Sequence, residues 1–274
     1  MNYLKSLFNV DGKVAVLTGG GGILATEMAS GFLSVGVKVV LLDINEDNLN
    51  KTVNELKSHG KDIIGIRCNV LDEDNIRKVN DQIVNEFKRI DILVNAAGGN
   101  MTGATIGIDQ NFFDLKIDEF NKVTDLNLNG TVLPTLIFGK TMADQNSGSI
   151  INISSMSSTR VITRVVGYSA AKAAVDNFTR WMAVEMAQKF GNALRVNAIA
   201  PGFLLTEQNR TLLTNEDGSL TERGKIIIDL TPFKRFGEPD ELIGTVLWLA
   251  SDASKFVSGI IVPIDGGFSV FSGV

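Results

Sequence analysis

Residues 13–25 read KVAVLTGGGGILA. An apolar, β-branched run over 13–19 meets a row of glycines, and a helical pattern begins near residue 23. Strand, glycine turn and helix in that order open an α/β unit. Gly20, Gly22 and Ala25 fit G-x-G-x-x-A, a variant of the dinucleotide-binding fingerprint. Glycines let the backbone turn sharply and approach a pyrophosphate, and the helix start offers free N–H groups and partial positive charge. A glycine turn that holds no ligand would carry the same letters, so this motif alone is a modest signal.

The rhythm repeats along the chain. Further strands are expected at 38–43, 62–70, 91–97, 149–155, 194–201 and 259–265. Amphipathic stretches near 23–36, 46–59, 72–89, 118–145, 167–190 and 239–251 read as helices. The strand candidates are nearly continuous apolar runs, as in a parallel sheet covered on both faces. This predicts an α/β fold: a Rossmann-like, doubly wound parallel sheet of about seven strands with helices on both faces. No linker, repeat or low-complexity segment divides residues 1–274, so one domain is expected. Residues 203–236 break the rhythm with mixed polarity and read as a helical flap, with NEDGS inside it as a turn. A second long connection, 98–117, follows the fourth strand. Both leave the strands' C-terminal edge, where open α/β sheets bind ligands.

Composition narrows the class. Hydrophobic residues at 44% and charged residues at 21% suit a core-forming globular chain. A net charge of −5 and the lack of a basic stripe argue against nucleic acid. No window of apolar residues is long enough for a membrane span, and no signal peptide is evident at the start, so a cytoplasmic protein is expected. Cys68 is the single cysteine and His59 the single histidine, which argues against disulfides, a histidine-based triad or a catalytic metal.

The second strand ends in Asp43, about 20 residues beyond the glycines, where a carboxylate can accept hydrogen bonds from an adenosine ribose. It would repel a 2′-phosphate, which favours NAD over NADP. Capping the helix that starts near Glu46 is the alternative role. Tyr168 and Lys172, in YSAAK, are i and i+4 and share one helical face. A phenol with an ordinary pKa near ~10 must have its anion stabilised to trade protons near neutrality. Lowering it by ~3 units takes about 4 kcal/mol, which a nearby ammonium and a cationic nicotinamide can supply.

With its neighbours, YSAAK resembles the short-chain dehydrogenase/reductase family. The matching pieces are TGGGGIL (18–24), Asp43, NAAG (95–98), NLNG (127–130), INISS (151–155), YSAAK (168–172), APGFLLT (200–206) and IDGG (264–267). They span roughly residues 9–268. The resemblance implies an NAD(P)-dependent oxidoreductase with Tyr168 as general acid/base, Lys172 lowering its pKa, Ser155 holding the substrate oxygen and Asn127 holding a relay water. It implies cofactor contacts at Gly19, Gly21, Gly22, Ile23, Leu24, Asp43, Asn69, Val70, Asn95, Ala96, Ala97, Tyr168, Lys172, Pro201, Gly202 and Thr206. Asn95 has an equal claim to a structural role, its amide bracing the central strands. The glycine loop is one residue shorter than the family's usual form, with Leu24 where the last glycine is expected, so an altered phosphate turn is expected.

The shortened turn, the long connection and the flap resemble a branch acting on sugar acids, of the D-mannonate oxidoreductase (fructuronate reductase) type. That resemblance implies reduction of D-fructuronate to D-mannonate and the reverse. Arg160 and Arg164 are the candidates for a substrate carboxylate, which an arginine can grip by two parallel bonds. Asn100, Gln208, Asn209 and Arg210 are candidates for its hydroxyls. Other polyol or gluconate-type dehydrogenases, a 3-oxoacyl thioester reductase and a non-catalytic nucleotide sensor remain alternatives. The family's habit implies a homotetramer, joined through helix 167–190 and the apolar tail.

Overall fold

Val14–Thr18 forms β1, with every residue buried, and the chain leaves it straight into the glycine turn. The computed structural model describes residues 3–206, 210 and 212–274. After the short α1 (Tyr3–Leu7) and β1, strands and helices alternate. They are α2 (Ile23–Ser34), β2 (Lys38–Asp43), α3 (Glu46–Leu56), β3 (Ile63–Arg67), α4 (Glu73–Phe87) and β4 (Ile92–Asn95). Next come α5 (Ile117–Thr124), α6 (Gly130–Asp144), β5 (Gly148–Ile153), α7 (Val166–Phe190), β6 (Leu194–Pro201) and β7 (Ile261–Ile264). The seven strands form one sheet in the order β3-β2-β1-β4-β5-β6-β7, parallel at each pairing. Chain order reverses between β1 and β4, which makes the crevice above them the natural ligand site.

Alternation along the strands sends side chains into two cores. Ala15, Leu17, Val39 and Leu41 meet Met28 and Phe32 of α2 and Leu49 of α3. Val14, Val16, Val40 and Leu42 meet Ile76 and Ile83 of α4 and Phe138 of α6. The prediction of strands buried on both faces holds for the centre. It fails at the edges, where β3 alternates between buried and exposed residues and β7 is only partly buried, because each has one neighbouring strand.

The helix expected over 118–145 is three pieces. Between α5 and α6 lies a π-helical turn, Asp125–Asn129. Pro134 has no N–H to continue an ordinary ladder, and the Thr131 hydroxyl donates to the Asn127 carbonyl at 3.0 Å. Such turns recur at functional sites. In the flap, a helix runs Glu222–Asp229, capped by the Thr221 side chain. The NEDGS turn forms as expected, with Gly218 at φ +81°. Gln208 and Asn209 lie outside the described residues. No described helix is long and apolar enough to cross a membrane.

Candidate active site

The strand ends and the two long connections enclose a cleft of about 900 Å³ along the C-terminal edge of the sheet. At its floor, Gly19 has φ +67°, and a Cβ there would lie 2.9 Å from the Ala97 backbone. Only glycine allows that approach. Gly22 is the N-cap of α2, and the first-turn amides of Ile23 and Leu24 have no intrahelical acceptor. The cleft is lined by Gly19, Gly22, Ile23 and Leu24. The short turn therefore delivers the helix start to the cleft without the expected last glycine.

Gly21 is a correction. Its N–H donates to Asp43 Oδ2 at 2.9 Å, so it faces that carboxylate rather than the cleft. Asp43 Oδ1 accepts from the Asn45 N–H at 2.9 Å, which fixes the carboxylate at the end of β2. The capping alternative fails: the cap of α3 is Asn45, which accepts from Asn48 N–H. Asn69 and Val70 line the cleft beyond Asp43. The Asn69 side-chain oxygen already accepts the Leu71 N–H at 3.0 Å. Cys68 also lines this end, with its thiol pushed up to about 11 by burial, so it stays protonated.

Of the two roles expected for Asn95, the structure favours the bracing one. Its side chain is buried and donates to Thr135 Oγ1 at 2.9 Å and Asn152 Oδ1 at 2.8 Å, bracing β4 against β5 and α6. Ala96 and Ala97, which follow it, do line the cleft. Their N–H groups both donate to Thr18 Oγ1 at 3.0 Å. Thr18 orders this loop and was not among the expected site residues, although it stands directly before the glycines.

Ser155, just past β5, and Tyr168, in the first turn of α7, share the middle of the cleft wall with Met156 and Val165. Lys172 lies behind the phenol, with Nζ 5.6 Å from the Tyr168 ring centre and donating to the Ile153 carbonyl at 2.7 Å. Burial pulls the lysine down to about 8, while the Asp176 carboxylate pulls it upward. Asp176 is itself buried and accepts from the hydroxyls of Ser154 and, at 2.6 Å, Ser158, on either side of Ser155. Burial pushes the Tyr168 phenol up, and its hydrogen bond with Ser155 pulls it back. The depressed phenol expected from the lysine is therefore not a property of the polypeptide alone: desolvation outweighs the stabilising groups.

Asn127 is wholly buried in the π turn. Its Nδ2 donates to Gly99 O at 2.8 Å and Val123 O at 2.7 Å, and its Oδ1 accepts the Gly99 N–H at 3.0 Å. Gly98, at φ +154°, leaves no room for a side chain: a Cβ would lie 2.6 Å from Asn127 Oδ1 and 3.5 Å from Lys172 Nζ. Asn127 and Lys172 thus both lie against Gly98.

The substrate arginines are the second correction. Exposed Arg160 donates to the Phe271 carbonyl at 3.1 Å, and exposed Arg164 donates to the Ile106 carbonyl at 2.7 Å. Neither lines the cleft, since each ties one loop to another. Arg210 is exposed and outside the cleft as well. Asn100 lines the cleft, and its amide donates to Thr105 Oγ1 at 2.6 Å. Pro201, Gly202, Phe203 and Thr206 close the far end together with Arg223 of the flap helix. Phe203 packs edge-on against Phe268 at 5.3 Å.

A family model described as enoyl-(acyl carrier protein) reductase matches residues 22–269. The chain is 43% identical to UxuB, an uncharacterized oxidoreductase of Bacillus subtilis, over 97% of this chain and 98% of that one. A solved structure from Haemophilus influenzae, provisionally named a D-mannonate oxidoreductase and holding bound NAD, is 40% identical. It superposes with a TM-score of 0.90 over 97% of this chain and 98% of its own. A short-chain type dehydrogenase/reductase of Mycobacterium marinum is 31% identical, with a TM-score of 0.84 over 97% and 99%.

Proposed function

The chain belongs to the short-chain dehydrogenase/reductase family, and from that premise we propose that it interconverts D-fructuronate and D-mannonate with NAD. As a member it is an NAD(P)-dependent oxidoreductase acting on CH–OH groups. The observation that carries the reading is Tyr168 and Ser155 on one wall of the cleft with Lys172 buried behind the phenol. The likeness to the Haemophilus protein supports a sugar acid as the substrate.

The cleft fits a dinucleotide. First-turn amides at Ile23 and Leu24 suit a pyrophosphate, and the fixed Asp43 carboxylate suits an unphosphorylated ribose. Asn69 and Val70 would flank the adenine. Ala96, Ala97, Lys172, Pro201, Gly202 and Thr206 would hold the nicotinamide half. When bound, the nicotinamide supplies or accepts the hydride.

In the reducing direction Tyr168 gives its proton to the substrate oxygen, and its burial keeps that proton in place until then. Ser155 donates a hydrogen bond to the same oxygen as negative charge develops. Lys172, while charged, stabilises the phenolate left behind. Asn127 holds Gly99 and the π turn against Lys172, the side from which the phenol's proton is replaced. Exposed Leu136 on α6 and Trp181 and Val184 on α7 support a homotetramer joined through these helices.

Loss of NADH absorbance with D-fructuronate, with NADPH run in parallel, tests the proposal. Turnover with NADH in clear preference to NADPH is expected. Turnover only with NADPH would remove the role given to Asp43. No turnover with either would remove the substrate.

A further inference from the structure

The walls of the cleft carry two ionised side chains, Asp43 at the end of β2 and Arg223 on the flap. Arg223 is half-buried, and no described residue gives its guanidinium an ion pair or hydrogen bond. By contrast, Arg160 and Arg164 hold main-chain carbonyls, and Arg235 pairs with Glu241 at 2.6 Å. Arg223 also occupies the first turn of its helix, where the backbone dipole is unfavourable to a cation. Its neighbour fixes the helix rather than leaving it free to turn. A Cβ on Gly224 would lie 2.2 Å from the Leu213 carbonyl, so the helix is pressed against Leu213 of the flap at Gly224. A half-buried cation without a carboxylate, held on the cleft side, is an unsatisfied oxyanion site.

We propose that Arg223 is the carboxylate clamp of the flap, gripping an acidic substrate through paired N–H groups while its carbonyl end meets Ser155 and Tyr168. This rests on the oxidoreductase reading above and adds the group that would select an acid. The chemistry recognised is an oxyanion, of which the cofactor's pyrophosphate is the other source in this cleft.

The test is binding without turnover. D-mannonate and the neutral polyol D-mannitol are titrated into the NADH complex of the wild type, Arg223→Gln and Arg223→Lys, and followed by NADH fluorescence. Both ligands are already reduced, so no hydride moves. The expected result is that Arg223→Gln weakens D-mannonate on the order of tenfold or more. D-mannitol and NADH affinities stay unchanged, and Arg223→Lys recovers part of the loss. Equal weakening of acid and polyol, or a wild type that holds the acid no better than the polyol, overturns the clamp. Weaker NADH binding with the acid unaffected would assign Arg223 to the pyrophosphate and overturn it too. A wild type that ignores D-fructuronate in turnover but holds D-mannonate through Arg223 would remove the substrate reading and leave the clamp standing.

Discussion

Tyr168 and Arg223 line one cleft but come from regions built in different ways. Around Tyr168 the polar side chains interlock. Asn127 makes three hydrogen bonds, Thr18 accepts two, and Asn95 leads through Asn152 to Thr179. All of this is rooted in the two cores of the sheet. The flap has a small cluster of its own, in which Leu213, Ile227 and Phe236 are buried. Leu212, Ile226 and Phe233 beside it are exposed. The residues proposed for proton transfer are built on the cores of the sheet, and the proposed clamp stands on a flap with a small core of its own.

The strongest way to break this division is at the phenol. Tyr168→Phe should lower kcat by about 10²–10⁴-fold, the worth of a positioned proton donor, while the melting temperature stays unchanged. Activity within a few-fold of wild type would move proton transfer to another group.

Equal truncations in the two regions sharpen the comparison. Phe138 is wholly buried between α6 and the sheet, so Phe138→Ala should remove about 3–5 kcal/mol of unfolding free energy. Phe236→Ala should cost the global transition a small fraction of that, because the flap can open locally, and should instead raise KM. Equal shifts of the urea midpoints would show that flap and sheet unfold as one unit.

A smaller effect comes from pH. Lys172 is lowered from 10.5 to about 8, so its folded form binds fewer protons than the unfolded chain between those values. Stability should therefore rise with pH across that window, with the full penalty present below about pH 8. Asp176 faces the ammonium and limits the effect. Tyr168, raised by burial, turns the trend over above its ordinary value near 10. Lys172→Met should flatten the rise, which is on the order of 3 kcal/mol. An identical slope in the variant, measured by urea unfolding across this pH range, would refute the assignment.

Legibility followed the same division. The strands, the glycine turn and the directions of Asp43, Ser155 and Tyr168 could be read because backbone geometry dictates where a strand end or a first helical turn points. Gly21 was misjudged and Asn95 was left with two readings, because a motif letter does not say whether its amide or its side chain meets the ligand. Arg160 and Arg164 were misjudged for another reason. Long side chains on irregular loops can reach many acceptors, and Arg164 even takes a left-handed φ of +77°. The π turn lies just before Thr131 and Pro134, and simple periodicity does not register it. Arg223 lies in SLTERGK, where Thr221 signals a helix start but nothing local tells which side faces the cleft.

The segment after β7 touches both ends of the flap and the serine loop. Phe268 packs on Phe203, Gly266 O accepts from Phe233 N–H at 3.2 Å, and Phe271 O accepts from Arg160. In mechanical terms it is a lever with three points of attachment. A load hung on residues 265–271, such as a surface tether, would be felt at the recognition end and beside Ser155 at once. The same load on α1, which packs against residues 252–254, would reach neither directly.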